Sequence, residues 1–504
     1  MSRRAAVIGA GIGGLSAAAL LAKTGWEVDV YEQAAEAGGK AKSLQLGRYR
    51  FDTGPSLFTM PWVFRDFFAT LGLDMADWLR PLPLEPLCRY FWPDGSRLQS
   101  SACADTFGKE LAAFTGRANT AAELEHYFAQ GRWLWQVAGE LFLCRSLHEA
   151  DTYRSPQGRY SIPRLPGIGL FRSLHQANAQ AFSDPRLVQL FDRYATYNGS
   201  SPFKTPATMR IIPHVEYSWG GWALEGGIVE VARSLERAAL HCGARLHCNT
   251  RVQDIGLSAD GRRVNSVTIG AADGSGDSET RPYDIVVSNA DVLSTYSRLL
   301  KQPAAPEARR YRRLTASSSG IVFLWGIRRR FAELLSHNIF FSSDYRQEFD
   351  QIFGGHGAPD DPTIYVNITG RTSPDDNPPD GENWFVLVNV SHDSGQDWPA
   401  ITNSLRQRVL TRLSAALGVS IVELIEEEKI ITPVDIERDT GSTYGSLYGI
   451  ASNQRLAAFL RHPNRSRRIG GLYFAGGSAH PGGGMPLALL SGSLAAGLAN
   501  KYVL

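Results

Sequence analysis

The chain has 504 residues, with 52 basic and 50 acidic side chains and a formal net charge of +2. Hydrophobic residues make up 43% of it and charged residues 20%, values near those of globular proteins, so a disordered, collagen-like or coiled-coil chain is excluded. A net charge so close to zero argues against a nucleic-acid-binding protein, which would carry a basic excess.

The N-terminus has the pattern of a βαβ unit. An apolar strand at residues 5–8 leads into the turn GAGIGG at 9–14, and an Ala-rich helix is expected from about residue 15 to 24. A second strand at 27–31 ends in Glu32. This order of strand, G-x-G-x-x-G, helix, strand and acid predicts dinucleotide binding.

Each residue of this motif has a physical role in such a site. Gly9 allows the tight turn, Gly11 lets the backbone approach a pyrophosphate, and Gly14 lets the helix pack on the sheet. The helix N-terminus offers free N–H groups and a partial positive charge to the phosphates. Glu32 is placed to accept hydrogen bonds from the hydroxyls of a ribose.

Two further glycine-containing segments favour FAD over NAD. Gly38-Gly39-Lys40 follows the acid and can hold the phosphates of an extended dinucleotide. FDTGPS at residues 51–56 contains a Gly-Pro turn that can bring backbone close to a flat ring. The alternative is that these are ordinary loop glycines, but extended FAD-binding chains have this order of segments and plain NAD dehydrogenases do not.

The next part of the chain is rich in aromatic residues at helical spacing. Residues 58–160 are predicted to form an apolar helical core, and the alternative is a lipophilic tunnel or a membrane-facing lid. Residues 153–172 have the composition of a loop or hairpin, and residues 173–193 that of one amphipathic helix.

The second half of the chain alternates between helical and strand patterns. A first block, predicted to belong to the nucleotide-binding fold, has a helix at 228–242 and strands at 244–248, 250–255, 264–269 and 283–288. A second block has alternating strand patterns within 315–335 and 363–392, an acidic loop at 354–362 between them, and a helix at 398–417.

The C-terminus carries a second glycine-rich segment between a strand and a helix. Residues 472–475 are a buried strand, residues 476–486 contain five glycines and two prolines, and an apolar helix extends to about residue 500. A flexible hinge is the alternative interpretation. The segment is more typical of a helix N-terminus that faces a cofactor, where the helix dipole would favour an anionic reduced flavin ring.

Cysteine usage and hydropathy indicate the cellular setting. The five cysteines are scattered without a CxxC pair, which argues against a disulfide framework or a zinc site and fits a reducing compartment. Glycines interrupt the first apolar run, so a secretory signal is not expected. No stretch has the pattern of a membrane-spanning helix, and we therefore expect a cytoplasmic protein.

These motifs together resemble those of bacterial carotenoid desaturases in the phytoene-desaturase-like flavoprotein family. The resemblance extends over nearly the whole chain, and its motifs are GAGIGG with Glu32, GGK at 38–40, FDTGPS at 51–56, the segment 226–252, DIVVSNAD at 284–291 and GGSAHPGGG at 476–484. Two segments, FDRYATYNGSSP at 191–202 and AGGSAHPGGGMPL at 475–487, resemble the branch of 1-hydroxycarotenoid 3,4-desaturases, or methoxyneurosporene-type dehydrogenases.

The resemblance implies a set of FAD contacts in this chain. The pyrophosphate would lie at Gly11, Gly13 and Gly14, after the turn at Gly9, and the ribose at Glu32. The remaining implied contacts are Gly39 and Lys40 along the phosphates, Gly54 and Pro55 near the ring, backbone of Val252 at the adenine, and Gly477, Met485 and Pro486 against the ribityl chain and isoalloxazine. Wider relatives often have an acid in the C-terminal loop where this chain has Ser478.

The implied activity is formation of a C=C bond at the end of a polyene by hydride transfer to the flavin, most specifically 3,4-desaturation of a 1-hydroxycarotenoid. Such chemistry needs alignment and a dry channel more than a strong acid or base, and the sequence contains no convincing triad, dyad or metal cluster. His480 is the one ionisable side chain of the C-terminal loop, with a structural role and a role in proton removal both open. Tyr197 and Asn198 are candidates to hold the hydroxyl of the substrate.

A carotenoid substrate dissolves in lipid, so we expect peripheral association with the surface of the inner membrane and no membrane span. Arginines at 309–313, 328–330 and 465–468 could contact anionic head groups, although a solvated surface explains each cluster as well. Oxygen or a quinone would serve as electron acceptor. Phytoene desaturase, carotenoid isomerase and amine oxidase activities, and a non-enzymatic prenyl-lipid carrier, stay open as alternatives.

Because glycine-rich loops from opposite ends of the chain must meet around one FAD, we expect an α/β (mixed α+β) fold with two interleaved domains. A Rossmann-type FAD-binding domain of the glutathione-reductase-like kind would comprise residues 1–80, 215–300 and 465–504. A substrate and membrane-facing domain of mixed sheet and helices would comprise residues 81–214 and 301–464.

Overall fold

The computed structural model describes residues 3–454, 457, 459 and 461–502. Its strands, in chain order, are β1 Arg4–Ile8, β2 Glu27–Tyr31, β3 Ser43–Leu46, β4 Tyr49–Asp52, β5 Pro81–Pro83, β6 Cys88–Phe91, β7 Arg97–Ser100, β8 Trp222–Leu224, β9 Arg245–His247, β10 Thr250–Leu257, β11 Val264–Ala271, β12 Glu279–Pro282, β13 Ile285–Ser288, β14 Ser319–Ile327, β15 His337–Phe340, β16 Ile364–Ile368, β17 Glu382–Val390, β18 Ile425–Ile431 and β19 Leu472–Phe474.

The α-helices are α1 Ile12–Lys23, α2 Pro61–Leu71, α3 Ala104–Thr115, α4 Thr120–Leu134, α5 Glu140–Leu143, α6 Ala150–Arg154, α7 Pro156–Ser161, α8 Leu174–Ala181, α9 Pro185–Asp192, α10 Ile211–Trp219, α11 Val229–His241, α12 Val292–Ser294, α13 Pro306–Arg312, α14 Tyr345–Phe353, α15 Trp398–Leu417, α16 Pro433–Thr440 and α17 Met485–Tyr502. Short 3₁₀ segments include Ile162–Gly167, Arg193–Asn198 and Ala207–Arg210, and Trp135–Gly139 forms a π-helical turn.

A five-stranded parallel sheet forms the centre of the molecule, with the order β19-β13-β1-β2-β9. Its central strands are buried on both faces, as their continuous apolar sequences require. Helix α1 is the crossover between β1 and β2 and packs against α11 and α17. This arrangement confirms the predicted α/β class with a Rossmann-type sheet.

The first and last segments of the chain are neighbours in this sheet. Strand β19 extends the edge beyond β13, and α17 crosses α1 closely enough that Ser16 Oγ lies 3.0 Å from the Gly13 carbonyl and 3.1 Å from that of Leu489. The small residues of both helices allow this approach. As a result, the loops that precede α1 and α17 lie side by side.

A second sheet of seven strands has the order β18-β14-β17-β16-β15-β6-β7. Strand β14 shows how the two faces of this sheet differ: Phe323 and Trp325 pack toward α15, whereas Val322 and Leu324 pack toward the hairpin β3–β4. The helices α3, α4, α8, α9 and α10 form a layer around a separate aromatic cluster. This second sheet and the helical layer enclose the cavity described below.

Some local expectations were wrong. Residues 153–172 form short helices rather than a loop or hairpin, with Ser155 capping α7 through its side chain. The single helix expected at 173–193 is two, because Asp184 and Pro185 begin a new helix, α9. Strand β18 was not anticipated, since four of the seven residues in its sequence IEEEKII are charged.

The strands of the parallel sheet fall within 1–80, 215–300 and 465–504, and those of the seven-stranded sheet within 81–214 and 301–464. The domain boundaries themselves stay a prediction, and residues 1, 2, 503 and 504 at their outer ends lie outside the described residues. Among the helices of the described ranges, none has both the length and the apolar character needed to cross a bilayer.

Candidate functional site

A cavity of about 1020 Å³ lies at the carboxyl end of the parallel sheet. The loops that follow β1, β2, β13 and β19 all reach its wall, which is where parallel α/β sheets bind ligands. The opposite wall is apolar and comes from the seven-stranded sheet and the helical layer. It includes Val215, Val322, Ile339, Phe385 and Leu387.

The GAGIGG turn has the geometry that its sequence predicts. Gly9 has φ +91°, a left-handed conformation that favours glycine, and a Cβ on Gly14 would lie 2.0 Å from the Gly9 carbonyl oxygen. The buried Glu32 carboxylate accepts hydrogen bonds from the backbone N–H of Ala10 at 2.8 Å and of Ala34 at 2.9 Å. Glu32 therefore ties the turn to the end of β2.

Asn289, which sequence reasoning did not assign to the site, lies where the two glycine-rich loops meet. Its Nδ2 donates a hydrogen bond to the Gly9 carbonyl oxygen at 3.3 Å. A Cβ on Gly13 would lie 2.7 Å from Asn289 Oδ1 and 2.7 Å from the Gly476 nitrogen. Asn289 directly follows a buried strand, in the segment SNAD, and this position is the feature of the sequence that could have indicated its place in the site.

Lys40 and Asp291 both line the cavity. The Lys40 ammonium donates hydrogen bonds to the carbonyl oxygens of Leu447 at 2.7 Å and Ser446 at 3.2 Å. Burial lowers the Lys40 pKa from 10.5 to about 8, and the nearby Asp291 carboxylate partly opposes that shift. Lys40 is therefore mostly protonated at neutral pH and can attract an anion.

The residues around the first loop fit an extended dinucleotide. Gly11, Ile12 and Gly13 at the N-terminus of α1 line the cavity, and the first turn of this helix contains no acidic residue. Its free N–H groups and Lys40 provide a site for a pyrophosphate. A Cβ at Gly11 would lie 2.9 Å from Asn289 Nδ2, so both Gly11 and Gly13 pack too closely against Asn289 to carry a side chain.

A second part of the candidate cofactor site comes from the C-terminal loop. The buried guanidinium of Arg461 donates hydrogen bonds to the carbonyl oxygens of Gly477 at 2.9 Å, Ile450 at 3.0 Å and Tyr448 at 3.2 Å. Burial lowers the Arg461 pKa. Arg461 thus holds the loop in place beside the N-terminus of α17, a role that no local sequence pattern indicates.

His480 lies behind the loop and is not part of the cavity wall. Its side chain is fully buried, its Nε2 donates a hydrogen bond to the Arg145 carbonyl oxygen at 2.8 Å, and its ring contacts Phe142 edge-on. Burial lowers the His480 pKa to about 3, so the ring is neutral at physiological pH. This placement favours the structural role of the two roles considered.

The structure brings most of the predicted site residues together. Those in the cavity wall are Gly11, Gly13, Gly39, Lys40, Gly54, Pro55, Tyr197, Asn198, Gly477, Met485 and Pro486. The predicted residues that are not among those lining the cavity are Gly9, Gly14, Glu32, Val252 and His480. Val252 is buried in β10, paired with Ile269.

A polar cluster interrupts the apolar wall on the side of the helical layer. The Glu216 carboxylate accepts hydrogen bonds from the hydroxyls of Tyr197 at 2.6 Å and Tyr194 at 2.7 Å. The Arg193 guanidinium lies 3.8 Å from Glu216 and donates to the Tyr90 hydroxyl at 3.1 Å. Tyr197, Arg193 and Glu216 line the cavity, and only Tyr197 was predicted from the sequence.

A hydrogen-bonded row of three side chains lies in another part of the wall. The Tyr365 hydroxyl is 2.6 Å from Ser56 Oγ and 2.6 Å from His337 Nδ1. Burial lowers the His337 pKa to about 4. The row connects the FDTGPS segment to β15 and β16, so it fixes the seven-stranded sheet against that segment.

Comparison with known sequences gives whole-chain matches. The family model described as flavin containing amine oxidoreductase matches residues 12–500. The 1-hydroxycarotenoid 3,4-desaturase of Flavobacterium sp. (strain P99-3) is 40% identical over 98% of this chain and 99% of its own length. The 4,4'-diapolycopene oxygenase of Methylomonas sp. is 33% identical over 98% of this chain and 97% of its own.

Comparison with solved structures gives the same fold at low identity. Cyclohexylamine oxidase from Brevibacterium oxydans IH-35A superposes with a TM-score of 0.61 at 16% identity, and the match covers 99% of each chain. The two chains therefore share their overall fold.

Proposed function

The chain belongs to the flavin-containing amine oxidoreductase family and uses FAD as its cofactor, and from this premise we propose that it is a carotenoid desaturase acting on a 1-hydroxylated polyene. The observation that carries the proposal is the 40% identity to a 1-hydroxycarotenoid 3,4-desaturase over nearly the whole of both chains. The enclosed cavity with a largely apolar far wall suits a long hydrocarbon substrate.

The reaction removes two hydrogens from adjacent carbons. When bound, FAD supplies an acceptor for the hydride. The neighbouring C–H loses its proton to a weak base or water, and the electron pair of that bond completes the new C=C bond. The positive charge that develops is delocalised over the polyene, so the protein's task is to align the chain and to exclude bulk water.

The cavity wall provides for that alignment. Residues of β14, β15, β16 and β17 form a rigid sheet on one side, and the glycine-rich loops lie on the other. A flat polyene between these walls would be fixed against sliding sideways, while its position along the cavity must be set by its ends.

For FAD itself we propose the contacts expected from the sequence. Gly11, Gly13 and Gly14 hold the pyrophosphate, Gly39 and Lys40 extend this site, and Glu32 binds the ribose while it also secures the turn through Ala10. The other proposed contacts are Gly54, Pro55, Gly477, Met485 and Pro486 at the ribityl chain and ring, with Val252 backbone at the adenine. The placement of nine of these ten phosphate-site and ring-site residues at the cavity wall, Gly14 being the exception, supports the assignment.

For the substrate we propose that Tyr197 and Asn198 lie beside its hydroxylated end. Both residues line the cavity. The Tyr197 hydroxyl already donates to Glu216, so it can accept but not donate a further hydrogen bond. The Asn198 side-chain amide donates a hydrogen bond to Ser452 Oγ at 3.2 Å, which holds this residue in place beside the cavity.

We also propose that the protein docks on a membrane through the 133–171 patch, which we define as the exposed side chains of Trp133, Tyr153, Tyr160, Ile162 and Phe171. Phe171 is 78% exposed. The segment 152–173 contains four arginines and no acidic residue, so apolar side chains and positive charge occur together, as an anionic lipid surface requires.

The 133–171 patch lies directly behind one wall of the cavity. Val137 packs on Ile168 beneath the patch, whereas Ala138 and Phe142, on the same helical segment, line the cavity. A lipid-soluble substrate would therefore have a short path from the membrane. Among the arginines considered earlier, Arg465 is less suited, since it pairs with Glu149 at 3.1 Å.

The product of a defined incubation tests this function. The purified protein, with its flavin absorbance recorded, is incubated with a 1-hydroxylated polyene and with the parent hydrocarbon, and products are separated by chromatography. Conversion of the alcohol to a product two hydrogens lighter supports the proposal. An isomer of equal mass would indicate a carotenoid isomerase, and absence of both flavin and turnover would indicate a lipid carrier.

One alternative has its own support. The 33% identity to a 4,4'-diapolycopene oxygenase means that an oxygenated product is a second candidate outcome, visible as a gain in mass. The electron acceptor, for which we propose oxygen or a quinone, is identified by repeating the incubation without oxygen and with added quinone.

A further inference from the structure

One face of the seven-stranded sheet forms a largely apolar wall of the cavity. The strand register places Ile339 opposite Tyr365 and Tyr365 opposite Leu387, so these three side chains project from the same face. His337 lies two positions before Ile339 on β15 and shares that face. All four residues line the cavity. Tyr365 and His337 are thus a polar pair set in a surface that otherwise suits a hydrocarbon.

The hydroxyl of Tyr365 joins this sheet to the FDTGPS segment. It lies 2.6 Å from Ser56 Oγ and 2.6 Å from His337 Nδ1, and we call these three side chains the Ser56–Tyr365–His337 row. Ser56 and Tyr365 are only partly buried, and both line the cavity. Ser56 directly follows Gly54 and Pro55, where we propose that the flavin ring binds. The central hydroxyl of the row therefore lies next to the segment proposed for the ring.

The proton positions in the row follow from the neighbours of His337. Its Nδ1 lies 3.4 Å from the amide nitrogen of Asn367, which is a donor only and also donates to the Ser336 carbonyl oxygen at 2.8 Å. Burial lowers the His337 pKa to about 4, so the ring is neutral at physiological pH and Nδ1 is its acceptor nitrogen. The Tyr365 hydroxyl consequently donates to Nδ1, and its oxygen accepts from Ser56.

A neutral tyrosine–imidazole pair can take a proton from carbon only where the C–H bond is strongly acidic. Desaturation meets this condition, because positive charge develops on the polyene as the hydride departs and loss of the neighbouring proton forms the conjugated C=C bond. A strong base is therefore not needed, but a positioned acceptor is needed where bulk water is excluded. The Tyr365 oxygen can receive such a proton as its own proton moves to His337, so that no charge remains on the tyrosine.

We propose that Tyr365 and His337 accept the proton that desaturation releases. This inference rests on the proposed function and names the base that the reaction requires. Hydride passes from one carbon to FAD, and the C–H electron pair of the neighbouring carbon forms the new C=C bond. The proton of that C–H bond goes to the Tyr365 oxygen while the hydroxyl proton goes to His337 Nδ1. Ser56 and Asn367 are positioning residues, since each donates to an accepting atom of the pair.

Glu216 is the alternative acceptor in the wall formed by the helical layer. Its two oxygens already accept hydrogen bonds from Tyr194 and Tyr197, and the Arg193 guanidinium lies 3.8 Å away. It belongs to α10 rather than to the sheet that the row joins to the FDTGPS segment. E216Q therefore serves as a comparison in the test.

The test measures single-turnover product formation from a 1-hydroxylated polyene that carries deuterium at the carbon losing the hydride or at the carbon losing the proton. Y365F and H337Q should each form product about a hundredfold more slowly, with affinity for the polyene close to wild type. Deuterium at the proton-losing carbon should slow these variants more than it slows the wild type, because proton removal has become limiting. The double variant should be no slower than either single one, since the two residues act as a unit.

Y296F is the matched control. The Tyr296 hydroxyl lies 3.2 Å from His462 Nε2, so these residues form another buried tyrosine–histidine pair, and neither lines the cavity. Its rate and isotope effects should equal those of the wild type. Flavin content and melting temperature are recorded for every variant, and if Y365F does not fold, H337Q and Y296F make the comparison.

A second readout needs no turnover. In NMR spectra of protein whose histidines carry a nitrogen isotope label, the resonances absent from H337Q belong to His337. We expect an unprotonated Nδ1 at neutral pH, with a resonance that shifts in Y365F and stays in place in Y296F.

Unchanged isotope effects in Y365F and H337Q would overturn the proposal, as would losses of rate no larger than that of Y296F. A protonated Nδ1, or the expected isotope effects in E216Q alone, would also overturn it. In each of these cases conversion of the polyene by the wild type would still support desaturase activity. If the wild-type flavoprotein does not convert the polyene, the proposed function itself is wrong.

Discussion

Gly492 of helix α17 lies against Gly13 of helix α1 so closely that a Cβ on Gly492 would fall 2.1 Å from the Gly13 carbonyl oxygen. The same Cβ would lie 2.1 Å from Ser16 Oγ. The contact sets the spacing of the two helices whose N-termini line the cavity.

Substitution of Gly492 should separate these helices. We expect G492A to lower the free energy of unfolding by about 2–3 kcal/mol, because the added methyl overpacks a helix crossing, and to release flavin more readily. Thermal unfolding and flavin release measure both effects. G497A is the matched control, since a Cβ on the exposed Gly497 meets no atom within 4 Å and alanine should favour the helix. Equal stability of the two variants would contradict the prediction.

Lys40 should make FAD binding depend on pH. The Lys40 pKa is lowered to about 8, so the ammonium that attracts the phosphates is lost as the pH rises above that value. Affinity for FAD should be constant below about pH 8 and fall above it. K40M should bind FAD about tenfold more weakly at pH 7 and show a flatter profile.

Fluorescence titration of the apoprotein with FAD at several pH values measures this dependence. K109M, at an exposed lysine of α3, serves as the control and should retain the wild-type profile. A wild-type decline above pH 8 that persists in K40M would assign the titration to another group.

His480 should matter for stability rather than for chemistry. H480A removes the hydrogen bond to Arg145 and leaves a hole beside Phe142, so we expect a loss of about 2–3 kcal/mol in the free energy of unfolding. H480Q can still donate to Arg145 and should be less affected. Turnover per bound flavin, and its pH profile, should stay close to wild type in both. A loss of turnover of a hundredfold or more with flavin retained would instead support proton removal by His480.

The same residue should contribute to acid lability. The folded-state pKa of His480 is lowered to about 3 from an ordinary 6.5, so the unfolded chain binds the proton more readily. Stability should therefore decrease as the pH falls from about 6.5 toward 3, and H480Q should reduce the slope of that decrease. Denaturant unfolding at pH 7 and pH 5 measures whether the free energy of unfolding decreases at the lower pH. A slope that is equal in wild type and H480Q would exclude a contribution from His480.

The 133–171 patch should control attachment to lipid. We expect I162S and F171S each to weaken binding to vesicles of phosphatidylcholine and phosphatidylglycerol about tenfold, because each removes an apolar side chain from the proposed contact. Sedimentation with vesicles measures the bound fraction. V422S and V434S remove exposed apolar side chains elsewhere and should have no effect. Similar losses in all four variants would argue against a defined docking face.

Local sequence predicts those parts of the structure that depend on contacts between residues close together in the chain. Helix α15 begins and ends where predicted, because Asp397 caps its N-terminus and Gly418 adopts a left-handed conformation at its C-terminus. The turn at Gly9–Gly14 and its link to Glu32 follow from the βαβ pattern. Residues 153–172 were misassigned because their prolines and glycines, which begin and end very short helices, also occur in loops.

The parts of the site that could not be predicted depend on contacts between distant segments. Asn289 reaches Gly9 across 280 positions of sequence. Arg461 holds the C-terminal loop through backbone carbonyls, which carry no sequence signal. Arg193 and Glu216 are ordinary surface residues by type, and only the packing of the helical layer places them in the cavity wall.

The position of β19 and α17 has a consequence for synthesis of the protein. The parallel sheet lacks its edge strand, and α1 lacks its partner helix, until the last part of the chain has emerged from the ribosome. A nascent or prematurely terminated chain would therefore have the first glycine-rich loop of the FAD site and lack the second. Cofactor loading should therefore require β19 and α17, and a chain truncated before Leu472 should bind no FAD.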